Sequence, residues 1–460
     1  MVMRLLSRLL IALLCLVIAA CAALPDVSNL SDVESTTTST SYIAPTSASL
    51  LATKLQHTQV NLQQLAALEK TASNSPVITG NKVTLLFDGP ETTDAMMVAI
   101  ANAKSHINFE TYIFDQDELG QRFADLLIAK QRAGVQVNII YDSVGTIGTP
   151  SEFFERMRNA GIHLVEFNPV NPLKRFGRWR LNNRDHRKIL IVDGKIAFTG
   201  GVNISAAYAN SSLFRAFKHP HPATATIGWR DTHIQIEGPA VAQLQLAFLR
   251  NWVRQRTGTS DDTETLEDLD YFPALPLAGD KALRVLTSRP GGDYALYKTY
   301  ILAIRNAKQT IHITTPYFAP DPQMLQELLN AAHRGVKVVM IFPSVSDSGL
   351  VFQAGQSYYD QLLDAGIKIY QLRAAVLHAK TAVIDGTWST VGSANLDIRS
   401  FLHNYEANVV VLDAAFGGEM ESAFSEDISN ADEISAESWN RRSMTQRIKE
   451  WIAQTLKYWL

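Results

Sequence analysis

The sequence predicts an α/β protein made of two similar halves that carry the same reactive motif. Three observations predict it: an internal repeat running through most of the chain, alternating helical and extended patterns within each copy, and a histidine–lysine pair at matched positions. With 460 residues the chain has room for two or three domains. A net charge of −3 gives no global drive toward nucleic acid, so any anion binding has to come from local clusters.

Taken in order, the chain starts with Arg4 and Arg8 before an apolar run from Leu9 to Ala20 that ends at Cys21. Such a run is shorter than the roughly 20 apolar residues of a spanning helix and suits a secretory signal. Its end, Ile18-Ala19-Ala20-Cys21, resembles the lipobox of bacterial lipoproteins. That resemblance implies cleavage before Cys21 and acylation of its thiol. Ala22 in place of an aspartate implies an outer-membrane anchor facing the periplasm. An uncleaved N-terminal anchor stays open as the alternative. Cys15 and Cys21 are the only cysteines, so the body beyond residues 1–21 predicts neither a disulfide nor a cysteine-held metal.

Residues 22–50 are rich in Ser and Thr and read as a tether. Residues 51–79 place Leu51, Leu55, Leu62, Leu65 and Leu68 at roughly helical spacing, an amphipathic segment expected to pack on the body.

The repeat then begins. AIANAKSHINFETYIFD (Ala99–Asp115) is echoed by AIRNAKQTIHITTPYFAPD (Ala303–Asp321), and AKQRAGVQVNIIYDS (Ala129–Ser143) by NAAHRGVKVVMIFPS (Asn330–Ser344). RNAGIHLVEF (Arg158–Phe167) matches LDAGIKIYQL (Leu363–Leu372). Helix, glycine stop and buried strand in succession signal βαβ units and a largely parallel sheet. The first α/β half therefore spans 80–256 and the second 281–430, joined by a polar, acidic linker at 257–280. Residues 431–460 read as an amphipathic basic tail.

Each half closes on one constellation. NNRDHRKILIVDGKIAFTGGVNIS (Asn182–Ser205) carries His186, Lys188 and Asp193; LHAKTAVIDGTWSTVGSANLDIRS (Leu377–Ser400) carries His378, Lys380 and Asp385. Residues two apart on a strand share a face, so each histidine accompanies its lysine. The Asp-Gly pairs predict two-residue hairpin turns. Folding each hairpin about its turn sets His186 opposite Gly201 and His378 opposite Ser393, with Asn203 and Asn395 beside the imidazoles. A base, a cation and an amide together suit a tetrahedral anion. The lysines would neutralise its non-bridging oxygens, and Asn203, Asn395 and Ser393 would donate hydrogen bonds. Two histidines suit a reaction in which one partner is neutral while the other carries a proton.

Two H-x-K-x4-D motifs with G-x-N tails resemble the phospholipase D superfamily over residues 80–425. The resemblance implies two α/β/α domains packed as a pseudo-twofold pair, with one active site at their interface. It implies a phosphohistidine intermediate, with His186 as the nucleophile and His378 as the acid/base, and no cofactor or metal. Asp193 and Asp385 complete the motif, but their place in turns reads as bracing. The family also places an acidic residue downstream of each motif to hold the histidine, which assigns Asp231 to the first half and Glu406 to the second.

Within that family, FETYIF, NNRDHRK, TGGVNI, WRDTH, TPYFAPD and VGSANLDIRSFLHNYE are most similar to bacterial cardiolipin synthases. This implies transfer of a phosphatidyl group between phosphatidylglycerol molecules with release of glycerol, at a membrane surface and without nucleic acid. A hydrolase of the same fold, either a phospholipase D or an exported nuclease, is the alternative; a silent lipid-binding scaffold is the other.

Three local features remain. PLKRFGRWRLNNRDHRK (Pro172–Lys188) sets Lys174, Arg175, Arg178, Arg180 and Arg184 around Phe176 and Trp179, which suits an anionic lipid surface, a nucleic-acid backbone or a solvated loop. Trp439–Leu460 lines up Met444, Ile448, Trp451, Ile452, Thr455 and Trp459, for docking at a bilayer interface or packing on the body. His219 and His221 lack an obvious third ligand and read as a surface loop.

Overall fold

The computed structural model describes residues 23–28, 30, 62–171, 182–209, 228–257, 271–346, 348–373 and 375–456. The signal, residues 31–50 of the expected tether, the Pro172–Arg180 part of the basic loop, His219, His221 and most of the linker lie outside the described residues. The start of the expected tether is corrected: Val27 is buried in the core of the second half, and its N–H donates to Gln323 at 2.9 Å. Gln323 and Arg305 donate in turn to the backbone oxygens of Pro25 and Val27, so a buried apolar side chain with paired backbone groups holds this stretch on the body. Among the described residues, no helix is long and apolar enough to cross a membrane.

The first half contributes β1 (Ile78–Leu86), β2 (His106–Thr111), β3 (Gln136–Asp142), β4 (His163–Phe167), β5 (Ile189–Val192), β6 (Ile196–Gly200), β7 (Trp229–Arg230) and β8 (His233–Glu237). The second contributes β9 (Lys281–Ser288), β10 (Thr310–Thr314), β11 (Phe318–Ala319), β12 (Lys337–Pro343), β13 (Lys368–Leu372), β14 (Val376–Leu377), β15 (Thr381–Ile384), β16 (Trp388–Gly392), β17 (Leu396–Asp397), β18 (Glu406–Leu412) and β19 (Ala431–Ile434). Fifteen of these form one sheet, in the order β4-β3-β2-β5-β6-β8-β1 and then β9-β18-β16-β15-β10-β12-β13-β19. The second series mirrors the first, so the repeat in sequence becomes a pseudo-twofold pair meeting at β1 and β9.

The sheet is mixed, not largely parallel. Parallel pairing is confined within it to β2–β3–β4 and β10–β12–β13. Parallel neighbours need a helical crossover, and Glu118–Arg132 and Pro322–His333 provide two of them. Past β4 and β13 the motif strands instead turn back as hairpins, which pair antiparallel.

Burial welds the halves together. Ile189, Ile191, Ile234, Ile236 and Phe248 of the first share one core with Val285, Val383, Val391 and Val409 of the second. Each such side chain stabilises the fold by about 1.5–3 kcal/mol when fully buried, so separating the halves would expose a continuous apolar surface. The segment before β1 forms the helix Leu62–Ser73, whose Leu65 enters the core of the second half. Its Glu69 faces Arg284, both wholly buried, at 3.6 Å.

The tail begins later than 431, because Ala431–Ile434 adds an edge strand to β13. Met444–Thr455 is helical, but its apolar side is not the buried one. Glu450 and Ala453 face the body, and Gln446 bonds Gln353 and Gln356 of the helix Gly349–Gln356. Met444, Ile448, Trp451 and Ile452 stand in solvent, Trp451 with 66% of its surface exposed.

Candidate active site

The motif hairpins are built by their turns. Asp193 and Asp385 take positive φ (54° and 51°), as do Gly194 and Gly386, the conformation of a type I′ turn. Asp193 accepts the backbone N–H groups of Lys104, Ser105 and His106; Asp385 accepts those of Lys308, Gln309 and Thr310. Each aspartate thus ties its turn to the start of β2 or β10. This spends the carboxylates on structure and removes both from the group of residues facing a substrate.

One extra residue follows each turn. The ladder pairs Val192 with Ile196 and Ile384 with Trp388, so the registers are one residue off the simplest hairpin. Continued outward, they set His186 opposite Val202 and His378 opposite Ala394, not Gly201 and Ser393. The small residues have another use. A Cβ on Gly201 would lie 2.0 Å from a carboxylate oxygen of Asp231, and the Ser393 hydroxyl donates to Glu406. Gly201 thus admits one carboxylate where Ser393 binds the other, and Ser393 is committed away from any phosphate.

His186 and His378, each more than 90% buried, line a single cleft of about 250 Å³ between the halves. Their Nδ1 atoms are held by carboxylates, but in a crossed pattern. His186 Nδ1 lies 3.1 Å from Glu406 Oε2, and His378 Nδ1 lies 2.7 Å from Asp231 Oδ2. The assignment of each acid to its own half is therefore corrected: every histidine is oriented by the opposite half.

Backbone pairing explains the exchange. β7, just before Asp231, runs parallel to β14, just before His378, and the His378 N–H donates to Arg230 O at 2.8 Å. Asp185 bridges Tyr405 in the same sense, and the His186 N–H donates to Tyr405 O at 2.9 Å. Buried Arg230 locks the first of these crossings, gripping both oxygens of Asp427 at 2.8 and 2.9 Å while stacked 3.6 Å from the Phe87 ring centre.

Lys188 Nζ donates to His186 O at 2.6 Å, and Lys380 Nζ to His378 O. An ammonium has three donors, so the Lys188 group can serve a further acceptor. Asn203 and Asn395 both line the cleft. The Asn203 side chain donates to the Tyr208 hydroxyl at 3.0 Å and accepts from the Ile113 N–H at 3.2 Å; the Asn395 side-chain oxygen is buried without a partner.

Electrostatics separates the groups. Burial, helped by Lys188, pushes the His186 imidazole down to about 4 against the opposing pull of Glu406. Burial works to raise Glu406, but His186, Lys188 and Ser393 together hold it below the usual glutamate value. Burial lifts Asp231 to about 6 against the pull of Lys380, and pushes Lys188 down to about 7.

Several residues at or beside the cleft were not assigned to it from the sequence. Ile113 and Tyr317 occupy matched repeat positions directly after β2 and β10, a signal present in the repeat itself. Tyr208, 3.0 Å from His378 Nδ1, follows a part of the first motif that the second does not repeat. Arg184 belongs to the cleft wall, not to an exposed basic patch: it is 1% exposed, faces Asp142 at 3.4 Å and donates to Asn168 O. Arg399, held by Asn182 at 3.0 Å, lines the same space.

Comparison with known proteins adds the following. Residues 96–213 and 300–428 match the family profile described as "Cardiolipin synthase, PLD-like domain". Cardiolipin synthase 1 of Bacillus cereus is 37% identical over 372 residues, covering 80% of this chain and 70% of that protein. A cardiolipin synthase of Listeria monocytogenes is 35% identical over 379 residues, covering 82% and 75%. The crystal structure of a phosphatidylserine synthase from Haemophilus influenzae superposes with a TM-score of 0.64 at 14% identity, over 86% of this chain and 99% of that one, a likeness of fold.

Proposed function

The chain belongs to the cardiolipin synthase family of phospholipase D-like proteins, and from that premise we propose that it moves a phosphatidyl group from one phosphatidylglycerol to a hydroxyl of another, releasing glycerol. The observation that carries this reading is the pair of imidazoles in one cleft, each with Nδ1 on a buried carboxylate. That contact leaves Nε2 as the ring nitrogen of each imidazole that can meet the ligand.

His186, kept neutral by its burial, attacks phosphorus through Nε2. A P–N bond forms, the P–O bond to glycerol breaks, and the departing oxygen takes a proton from His378 Nε2. The hydroxyl of the second phosphatidylglycerol then gives its proton to His378 as its oxygen displaces His186. Lys188 and Lys380 neutralise the non-bridging oxygens, and Asn203 and Asn395 orient the phosphate. Purified protein given phosphatidylglycerol should yield cardiolipin and glycerol in equal amounts; phosphatidic acid as the sole product would replace transfer with hydrolysis.

The lysine supplies a pH test. Lys188 acts as a cation, and in the free site its proton leaves as pH rises through about 7. A bound phosphodiester anion holds that proton more tightly. Hence kcat/KM should fall above this pH while kcat stays level to higher pH. A kcat/KM flat to about pH 9 would remove Lys188 from phosphate binding.

The substrate also calls for a membrane surface, and the helix Met444–Thr455 suits one. Its exposed Met444, Ile448, Trp451 and Ile452 are accompanied by Arg441, Arg447 and Lys449. It packs on the helix Gly349–Gln356, whose Val351 lines the cleft. Ile448→Glu with Trp451→Glu should weaken capture by anionic vesicles by at least roughly tenfold. Turnover of a short-chain, monomeric phosphatidylglycerol should be retained, and unchanged vesicle capture would dismiss this surface. Cys21 as the acylated residue and residues 31–50 complete the reading as an envelope tether, anchored to the body where Val27 is buried.

A further inference from the structure

A second cavity, of about 580 Å³, lies among the helix Val241–Thr257, the end of β9 and the loop that follows it. It is larger than the cleft and shares none of its lining residues. Arg187, Arg250, Arg254 and Arg289 line it; Arg187 is paired with the buried Glu110 at 3.7 Å, and the one carboxylate in the lining, Asp293, already caps the Ala295 N–H at 3.2 Å. Among the described residues, Arg250, Arg254 and Arg289 form no ion pair or hydrogen bond through their side chains. The hydroxyl of Ser288, 4% exposed and lining the same cavity, is buried without a partner.

Like charges gathered round a cavity repel, and a buried hydroxyl without a partner costs free energy. One anion relieves both. Guanidinium forks suit phosphate oxygens, and the arginine and hydroxyl groups of the lining favour a phosphate over an acyl chain. We propose that this cavity is a second phosphate-binding site, taking a phosphorylated headgroup or a soluble phosphate compound. Arg187 joins it to the cleft: it sits between His186 and Lys188 and donates to the backbone oxygens of Glu406 at 3.2 Å and Ser288 at 3.0 Å. Binding at the cavity stands independently of the reaction assigned above; its influence on the cleft rests on that reading.

Calorimetry with inorganic phosphate tests the site on the full-length protein. The wild type should bind two phosphates, Arg250→Gln/Arg254→Gln/Arg289→Gln only the one in the cleft, and Lys188→Gln only the one in the cavity. The triple variant should keep its turnover at low phosphate and lose any response of kcat/KM to added phosphate. Two sites persisting in the triple variant, or a single wild-type site that disappears in Lys188→Gln, would overturn the proposal. Glycerol phosphate and phosphatidylglycerol vesicles then separate the sources. A triple variant weakened toward vesicles by about tenfold points to a lipid headgroup, and one weakened only toward glycerol phosphate points to a soluble ligand.

Discussion

His186→Asn is expected to lower phosphatidyl transfer by roughly 10⁴-fold or more, because it removes the atom proposed to bond to phosphorus. His378→Asn should depress transfer from phosphatidylglycerol to a similar degree for a different reason: the leaving glycerol oxygen no longer receives a proton. A p-nitrophenyl phosphodiester, whose leaving group needs no proton, separates the two roles. His378→Asn should still release a burst of nitrophenol and hold the phosphoryl group on His186, where peptide mass spectrometry locates it. His186→Asn should give no burst. A phosphoryl group recovered on His378 instead would exchange the roles without changing the site.

The second expected result concerns the crossed carboxylates. Glu406→Gln should slow formation of the intermediate by about 10²–10⁴-fold, since it unsettles the ring that attacks. Asp231→Asn should leave the nitrophenol burst nearly intact and slow transfer from phosphatidylglycerol to a comparable extent. These outcomes follow from the contacts of Glu406 with His186 and of Asp231 with His378. Had each acid served its own half, the two variants would exchange phenotypes. Both substitutions preserve shape, so a thermal midpoint near that of the wild type would separate a catalytic loss from unfolding.

Much of the site was legible in the chain because the repeat states it twice. His186 with Lys188, and His378 with Lys380, were legible as pairs by their spacing, although both pairs stand just before β5 and β15, not within a strand, and only the histidines line the cleft. The bracing part of Asp193 and Asp385 also followed from their turns. Register was harder. A single extra residue after each type I′ turn moved Gly201 and Ser393 out from opposite the histidines and gave them other work, close approach by Asp231 in one case and a hydrogen bond to Glu406 in the other. Helical spacing found the apolar side of Met444–Thr455, but periodicity is silent about which side a neighbour will cover.

By itself the sequence determined the two α/β halves, the reactive pairs and the chemistry those pairs favour, because local spacing dictates all three. Only the tertiary structure decided which carboxylate orients which histidine and which arginines meet around the second cavity. The carboxylate contacts join residues some 150 to 220 positions apart, His378 with Asp231 and His186 with Glu406. They are fixed by the pairing of β7 with β14 and of Asp185 with Tyr405. Long-range pairing of that kind depends on how buried surfaces fit together, and no periodicity along one strand encodes it.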